Sequence, residues 1–164
     1  MMDSNTFYKN LLNKAVQLLA QRNHSSIELK QKLSLFYLKK YAHDFAIDDD
    51  LVKQQIDTAI QHCIAHNWIN DIQYIQQYID MRSRKGYGPN RIIGELKQHG
   101  FGLALVKEIF TAKNIDWYEV GLIRAQKKFQ NFDKKDYQQK LKLFQFLTYR
   151  GFQQDHINQI YSLL

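Results

Sequence analysis

The sequence predicts an all-α protein of three tandem three-helix repeats, forming an elongated, curved molecule. Three observations carry this expectation. A single proline and 7 glycines stand among 164 residues, so the residues that punctuate strands and tight turns are scarce. Apolar residues recur at spacings of three and four rather than alternating, the period of a helix with one buried face. Apolar stripes and turn signals then repeat with a period of about 50 residues, as in stacked units that complete one another's cores. The expected repeats are 1–66, 67–114 and 115–164.

The first helix is placed from about Thr6 to Arg22, with Tyr8, Leu11, Leu12, Ala15, Leu18 and Leu19 on one face. The second opens on Ser25-Ser26-Ile27-Glu28, a capping box in which hydroxyl and carboxylate satisfy free backbone N–H groups reciprocally. It is expected to bury Leu29, Leu33 and Phe36, with a link from Phe36 to Asp50 behind it. Asp48-Asp49-Asp50 suits the positive end of a third helix, which carries Val52, Ile56, Ile60 and Cys63 inward.

The fourth helix begins at Asn70 or Asp71, sets Ile72, Ile75, Tyr78 and Ile79 on one face, and ends near Lys85 before Gly86. Pro89 fits the first turn of the fifth, where a missing N–H is harmless, and Gly100 fits its close, where a left-handed residue is wanted. The sixth runs from Leu103 to about Lys113, and the last three from Asp116 to Phe129, Asp136 to Tyr149 and Asp155 to Leu164. An internal match supports the repeat. His99-Gly100-Phe101 aligns with Arg150-Gly151-Phe152, Leu96 with Leu147 and Ile93 with Phe144, while Leu29 and Leu33 fall on Ile92 and Leu96.

With 23 Lys and Arg against 16 Asp and Glu, the formal charge is +7, which favours polyanionic partners. Most of the excess lies beyond residue 66. One cysteine, Cys63, excludes an internal disulfide framework and fits a reducing cytosol. Apolar runs such as Val16 to Ala20 are too short for a signal or a membrane span, so a cytoplasmic protein without a membrane partner is expected.

The segment Arg82-Ser83-Arg84-Lys85-Gly86-Tyr87-Gly88-Pro89-Asn90-Arg91 puts four cations around an aromatic turn that opens a helix. Free N–H groups and the helix dipole there favour phosphate or a partner carboxylate; the alternative is a tight turn with solvated cations. Lys127, Lys128, Lys134, Lys135, Lys140 and Lys142 interleave with Phe129, Phe132 and Tyr137, a pattern that serves single strands by charge and stacking. Helical phasing assigns Phe129 and Tyr137 to the core and leaves the lysines as an electrostatic surface.

Other patterns are weaker. His62 and His66 have the spacing of a helical metal pair, but no glutamate base or second ligand cluster accompanies them, and a structural or solvated role is expected. The three aspartates lack the glycine turn of an oxygen cage. No Walker loop, nucleophile elbow or nucleophile–base–orienter set is present, so neither an enzyme nor a cofactor is expected.

The run Arg22-Asn23-His24-Ser25-Ser26-Ile27-Glu28-Leu29-Lys30-Gln31-Lys32-Leu33 resembles the first repeat of the RecX family. Trp68-Ile69-Asn70-Asp71, Tyr74, Arg82, Gly86-Tyr87-Gly88-Pro89, Arg91-Ile92, Glu95-Leu96 and Gly100-Phe101 are similar to its central repeat in order and spacing. Lys127-Lys128 and Gly151-Phe152 fit the third, so the resemblance covers nearly the whole chain. It departs at Asn70-Asp71, where the family commonly pairs two acids, and in the long link behind the second helix, which lacks the usual glycine.

The resemblance implies a modulator that binds in the groove of RecA–DNA filaments and restrains recombinase, ATPase and coprotease activities, in the setting of DNA repair and the SOS response; a monomer is expected, though the sequence leaves the oligomeric state open. Contact with single-stranded and duplex DNA is expected to be weak and non-specific. The residues expected to meet RecA or DNA are Arg82, Arg84, Lys85, Arg91, Lys127, Lys128, Lys134 and Lys135. The competing expectation is a sequence-specific DNA-binding regulator, because the fifth and sixth helices could pass for a helix-turn-helix. Leu103, Ala104, Leu105, Val106, Ile109 and Phe110 leave that recognition helix few groups to read base edges.

Overall fold

The computed structural model describes residues 4–41 and 48–164. Among these residues there are nine helices and no strand: α1 (Ser4–Gln21), α2 (Ser26–Tyr41), α3 (Asp49–Ala65), α4 (Asp71–Arg84), α5 (Pro89–Gln98), α6 (Leu103–Lys113), α7 (Trp117–Lys128), α8 (Tyr137–Tyr149) and α9 (Gln154–Leu163). The chain divides into two compact units, residues 1–74 and 75–164.

In the first unit α1, α2 and α3 pack on one another. Their core takes Phe7, Leu11 and Ala15 from α1, Leu29, Leu33, Tyr37 and Tyr41 from α2, and Val52, Ile56, Ile60 and Cys63 from α3. Tyr37 and Tyr41 set their rings edge-on to Phe7 at 5.9 and 5.4 Å, an arrangement favoured by the ring quadrupoles. Phe36 is only half-buried, against expectation. Tyr37 takes the inward place one turn after Leu33, and Phe36 covers the cluster from its edge.

The capping box of α2 forms only in part. Ser25 Oγ accepts from the Glu28 amide at 3.0 Å, but the Glu28 carboxylate is held by the Arg22 guanidinium instead of returning to Ser25. A fixed cation is a stronger partner for a carboxylate than an amide dipole. The Ser26 amide and hydroxyl both donate to the Asp71 carboxylate. At α3, Asp48 accepts from the Asp50 amide at 3.2 Å, so the acidic run caps a helix. Of the predicted link from Phe36 to Asp50, the part up to Tyr41 is helix, and residues 42–47 lie outside the described residues.

In the second unit the sequence match reappears as one backbone motif used twice. Gly100 and Gly151 have φ of +93° and +90°, values that L side chains resist. The Phe101 and Phe152 amides each donate to a leucine carbonyl, Leu96 at 3.2 Å and Leu147 at 3.1 Å. These are helix closures in which orphan carbonyls are satisfied by amides beyond the end. Ile92, Leu96, Val106 and Ile109 in α5 and α6 answer Leu143, Leu147, Ile157 and Ile160 in α8 and α9, and all eight are buried.

Three apolar assignments meet different outcomes. Ile72 is exposed, against expectation, and α4 turns Ile75 and Ile79 inward. Tyr137, expected in the core, is 66% exposed, because it is the first residue of α8 and precedes the helix's inward stripe. Phe129 packs as expected on the buried cluster of Ala125, Leu143, Leu147, Phe152, Ile157 and Ile160, edge-on to Phe132 and Phe146.

Candidate functional site

The strongest cationic constellation is built where the α4–α5 turn meets the α8–α9 turn. α4 closes with the Gly86 amide donating to the Ser83 carbonyl at 2.8 Å and the Tyr87 amide donating to that of Arg82 at 3.1 Å. The Gly88 amide then donates to the Arg150 carbonyl at 2.7 Å and the Asn90 amide to that of Gly151 at 2.9 Å. A Cβ on Gly88 would stand 2.6 Å from the Gly151 backbone, so the two turns dock main chain to main chain. The start of α5, expected to offer free amides to an anion, therefore spends the Gly88 and Asn90 amides on carbonyls of the other turn.

This docking gathers arginines that are distant in sequence. The guanidinium carbons of Arg82, Arg91 and Arg150 lie 3.8, 4.7 and 4.9 Å from the Tyr87 ring centroid, within the range of cation–π attraction. Arg150 donates to the Lys85 and Gly86 carbonyls at 3.0 and 3.2 Å. Arg124 of α7 donates to the Arg84 carbonyl at 3.1 Å.

One carboxylate, Glu95, serves both Arg82 and Arg91 and also accepts from the Tyr78 hydroxyl at 2.9 Å. Burial pushes the Glu95 carboxyl up, but the hydrogen bonds from Arg82, Tyr78 and Arg91 outweigh it and hold the group below the usual carboxylate range. Arg150 has the opposite environment. Burial lowers its pKa, the charges of Arg124, Arg91 and Arg82 lower it further, and Tyr87 opposes them. A guanidinium remains charged under such pressure, so positive charge is concentrated here beyond what Glu95 neutralises.

The expected site residues thus separate. Arg82 and Arg91 are partly buried and committed to Glu95. Arg84 and Lys85 are exposed at the rim. Lys127 and Lys128 are exposed in the last turn of α7, three and four residues beyond Arg124 and so on the same helical face. Lys134 is directed to the end of α9, where its ammonium donates to the Ser162 carbonyl at 2.9 Å. Lys135 is exposed, and its amide donates to Asp133. Beside the arginines, Asn90, Arg91, Gly94, Thr148 and Tyr149 line a groove of about 430 Å³. Tyr149 is 74% exposed, and its ring has the Arg91 guanidinium 5.0 Å away.

Sequence reasoning missed Arg124, Arg150 and Tyr149. Arg150 had one signal, its place beside the recurring glycine-phenylalanine turn. Arg124 had none, because only the packing of α7 brings it to Arg84. On α6, Val106 and Ile109 are buried and the exposed polar groups include Lys107 and Glu108, of opposite charge, which suits base reading poorly. His62 and His66 stack with centroids 4.1 Å apart, and His66 Nδ1 bonds the His62 carbonyl within its own turn. No group of three metal-ligating side chains occurs among the described residues, and none of their helices is long and apolar enough to cross a membrane.

Comparison with known proteins places this architecture. The family model for the second three-helix domain of RecX matches residues 70–108, and that for the third matches residues 116–161. Regulatory protein RecX of Yersinia enterocolitica is 36% identical over 160 residues, which cover 93% of this chain and 96% of that one. Its counterpart in Serratia proteamaculans is 37% identical over 160 residues, covering 92% and 95%. Among solved structures, RecX from Lactobacillus salivarius superposes with a TM-score of 0.76 at 21% identity over 96% of both chains. A second crystal structure of a regulatory protein RecX gives 0.73 at 16% identity, over 97% of this chain and 73% of that one. With two domain matches that cover half of the sequence and relatives this similar along nearly its full length, the chain belongs to the RecX family.

Proposed function

We propose that this chain is a non-enzymatic, cytoplasmic regulator of the RecA recombinase that acts as a monomer in the groove of the RecA–DNA filament. There it inhibits recombinase, ATPase and coprotease activities. The observation that carries the reading is the distribution of charge. In residues 1–74 each Lys or Arg is matched by an acid, so the whole formal excess of +7 falls in residues 75–164. Within that unit Arg84, Lys85, Lys127 and Lys128 stand exposed around partly buried arginines that the Tyr87 and Glu95 contacts hold in place. Cations carried on a fixed backbone meet phosphates or acidic protein surface at set positions, and only their own side chains need ordering.

The test is RecA ATPase on single-stranded DNA, and strand exchange, titrated with the protein. Inhibition at equimolar or lower protein is expected, along with weak, salt-sensitive and sequence-indifferent DNA binding when RecA is absent. Arg84→Glu with Lys85→Glu should weaken inhibition and leave the fold intact, since both side chains are exposed. Arg82 is excluded from that pair because it is bound to Glu95. Unchanged RecA activity at saturating protein, or selective binding to one duplex sequence, would overturn the reading.

A further inference from the structure

α2 carries two apolar stripes, and the first core uses one of them. Leu29, Leu33, Tyr37 and Tyr41 face inward. Lys32, Leu35, Phe36 and Lys39, at offsets of three, four and seven, form a second stripe on the outside. Leu35 is 56% exposed and its neighbour Leu38 is 55% exposed. Together with Lys14 of α1 and Lys40, the outer stripe lines an open groove of about 490 Å³. The Lys14 and Lys40 ammonium groups lie 5.7 and 5.4 Å from the Phe36 ring centroid.

These four lysines form no ion pair among the described residues; the ion pairs of this unit engage Arg22, Lys30 and Lys53. Residues 1–74 have balanced charge overall, so the four groove lysines are a local excess offset by acids elsewhere in that unit. The groove's floor is apolar and its rim cationic.

We infer that this groove docks an acidic amphipathic segment of a partner protein. The segment's large apolar side chains cover Leu35 and Phe36, and its carboxylates meet Lys14, Lys32, Lys39 and Lys40. An ammonium held over a ring retains donors for a carboxylate, and apolar anchors between matched charges are the usual composition of a helix-in-groove contact. Nucleic acid fits less well. A phosphodiester chain supplies charge but nothing apolar for the exposed Leu35 or for Phe36. A bilayer surface is flat, whereas these side chains come from two helices around a hollow.

The experiment is fluorescence anisotropy with the full chain and a labelled synthetic helical peptide bearing Leu at positions i, i+3, i+4 and i+7 and Glu on either flank. Parallel titrations use polyglutamate of equal length, a single-stranded oligonucleotide, and vesicles of phosphatidylcholine with phosphatidylglycerol. Saturable peptide binding is expected, lost in Leu35→Glu, weakened at least about tenfold in Lys32→Gln with Lys39→Gln, and unchanged in Leu38→Glu, whose side chain is exposed outside the groove. Leu35→Ala repeats the test without added charge, and circular dichroism confirms that each variant is folded. Failure of the peptide to bind overturns the inference, as does equal binding of polyglutamate or retention of peptide binding by the Leu35 variants. Oligonucleotide or vesicle binding that disappears with Leu35 would reassign the groove. No recombinase is present in these titrations, so their outcome is separate from that of the RecA assay.

Discussion

Glu95 is the residue on which the second unit's arginines depend. It is 19% exposed, as a side chain, against 15% for Arg82, so its bonds are partly shielded from water. Glu95→Gln keeps the shape but removes the charge, leaving Arg82 and Arg91 beside Arg150 without a counter-ion. A loss of about 1.5–3 kcal/mol is expected, read by urea unfolding at neutral pH. The pH dependence has a definite sign. Because the folded Glu95 carboxyl lies below its ordinary value, its contribution is complete above the ordinary carboxylate pKa and is lost as pH falls below that value. Glu28, where burial pushes up but Arg22 pulls further down, adds in the same direction. His156 acts earlier in an acid titration. Burial lowers its pKa against a smaller opposing effect of Asp155, and its Nδ1 accepts from the Gln153 amide at 3.3 Å, a bond that protonation breaks. Stability should therefore begin to fall as pH drops below the ordinary histidine value of 6.5, and His156→Gln should remove that first phase while leaving the carboxylate phase. A flat profile between neutrality and pH of about 5 would contradict the assignment.

Among elements, the docked turns matter more than any one helix. Gly88 has no room for a methyl group against the Gly151 backbone, whereas a Cβ on Gly94, in α5 six residues later, meets nothing within 4 Å. Gly88→Ala should cost about 1–3 kcal/mol through forced displacement of main chain. Gly94→Ala should stabilise by about 0.5–1 kcal/mol, since it only removes helical glycine entropy. The pair of substitutions, compared by chemical unfolding, separates the docking claim from a general effect of adding a methyl group. The same scale explains why α2 looks ambiguous as a sequence: one of its apolar stripes fills a core while the other reaches solvent, so periodicity identifies a helix without saying which face is inside. Its spacing points Phe36 inward, yet Tyr37 holds that place.

At the scale of the molecule, a neutral unit and a cationic unit predict an asymmetric response to salt. Replacing Arg84, Lys85, Lys127 and Lys128 with Gln should flatten the dependence of DNA affinity on salt by about 0.7 in log–log slope for each single-strand phosphate that the protein ceases to neutralise. Replacing Lys9, Lys30 and Lys53 in residues 1–74 should leave that slope where it was. Equal flattening by both sets, measured by anisotropy across a salt series, would show that the charge partition does not govern binding.

Helix positions, the recurring glycine-phenylalanine turns and the core leucines and isoleucines were legible in the chain itself. They follow from local rules: a period of 3.6, caps that need particular hydroxyls or carboxylates, and a left-handed turn that needs glycine. The family was legible because its signature at Arg82, Gly86-Tyr87-Gly88-Pro89 and Gly100-Phe101 stands in order and spacing, although only Gly86 and Gly100 answer a local left-handed turn, and Gly88 answers the docking against Gly151. The candidate site was legible only in its first half. That Arg82 would bind Glu95, that the start of α5 would donate to the carbonyls of Arg150 and Gly151, and that Arg124 would reach Arg84 were decided by tertiary packing. Cations announce attraction to any anion, and only the three-dimensional arrangement settles which carboxylates and carbonyls reach them before a partner can.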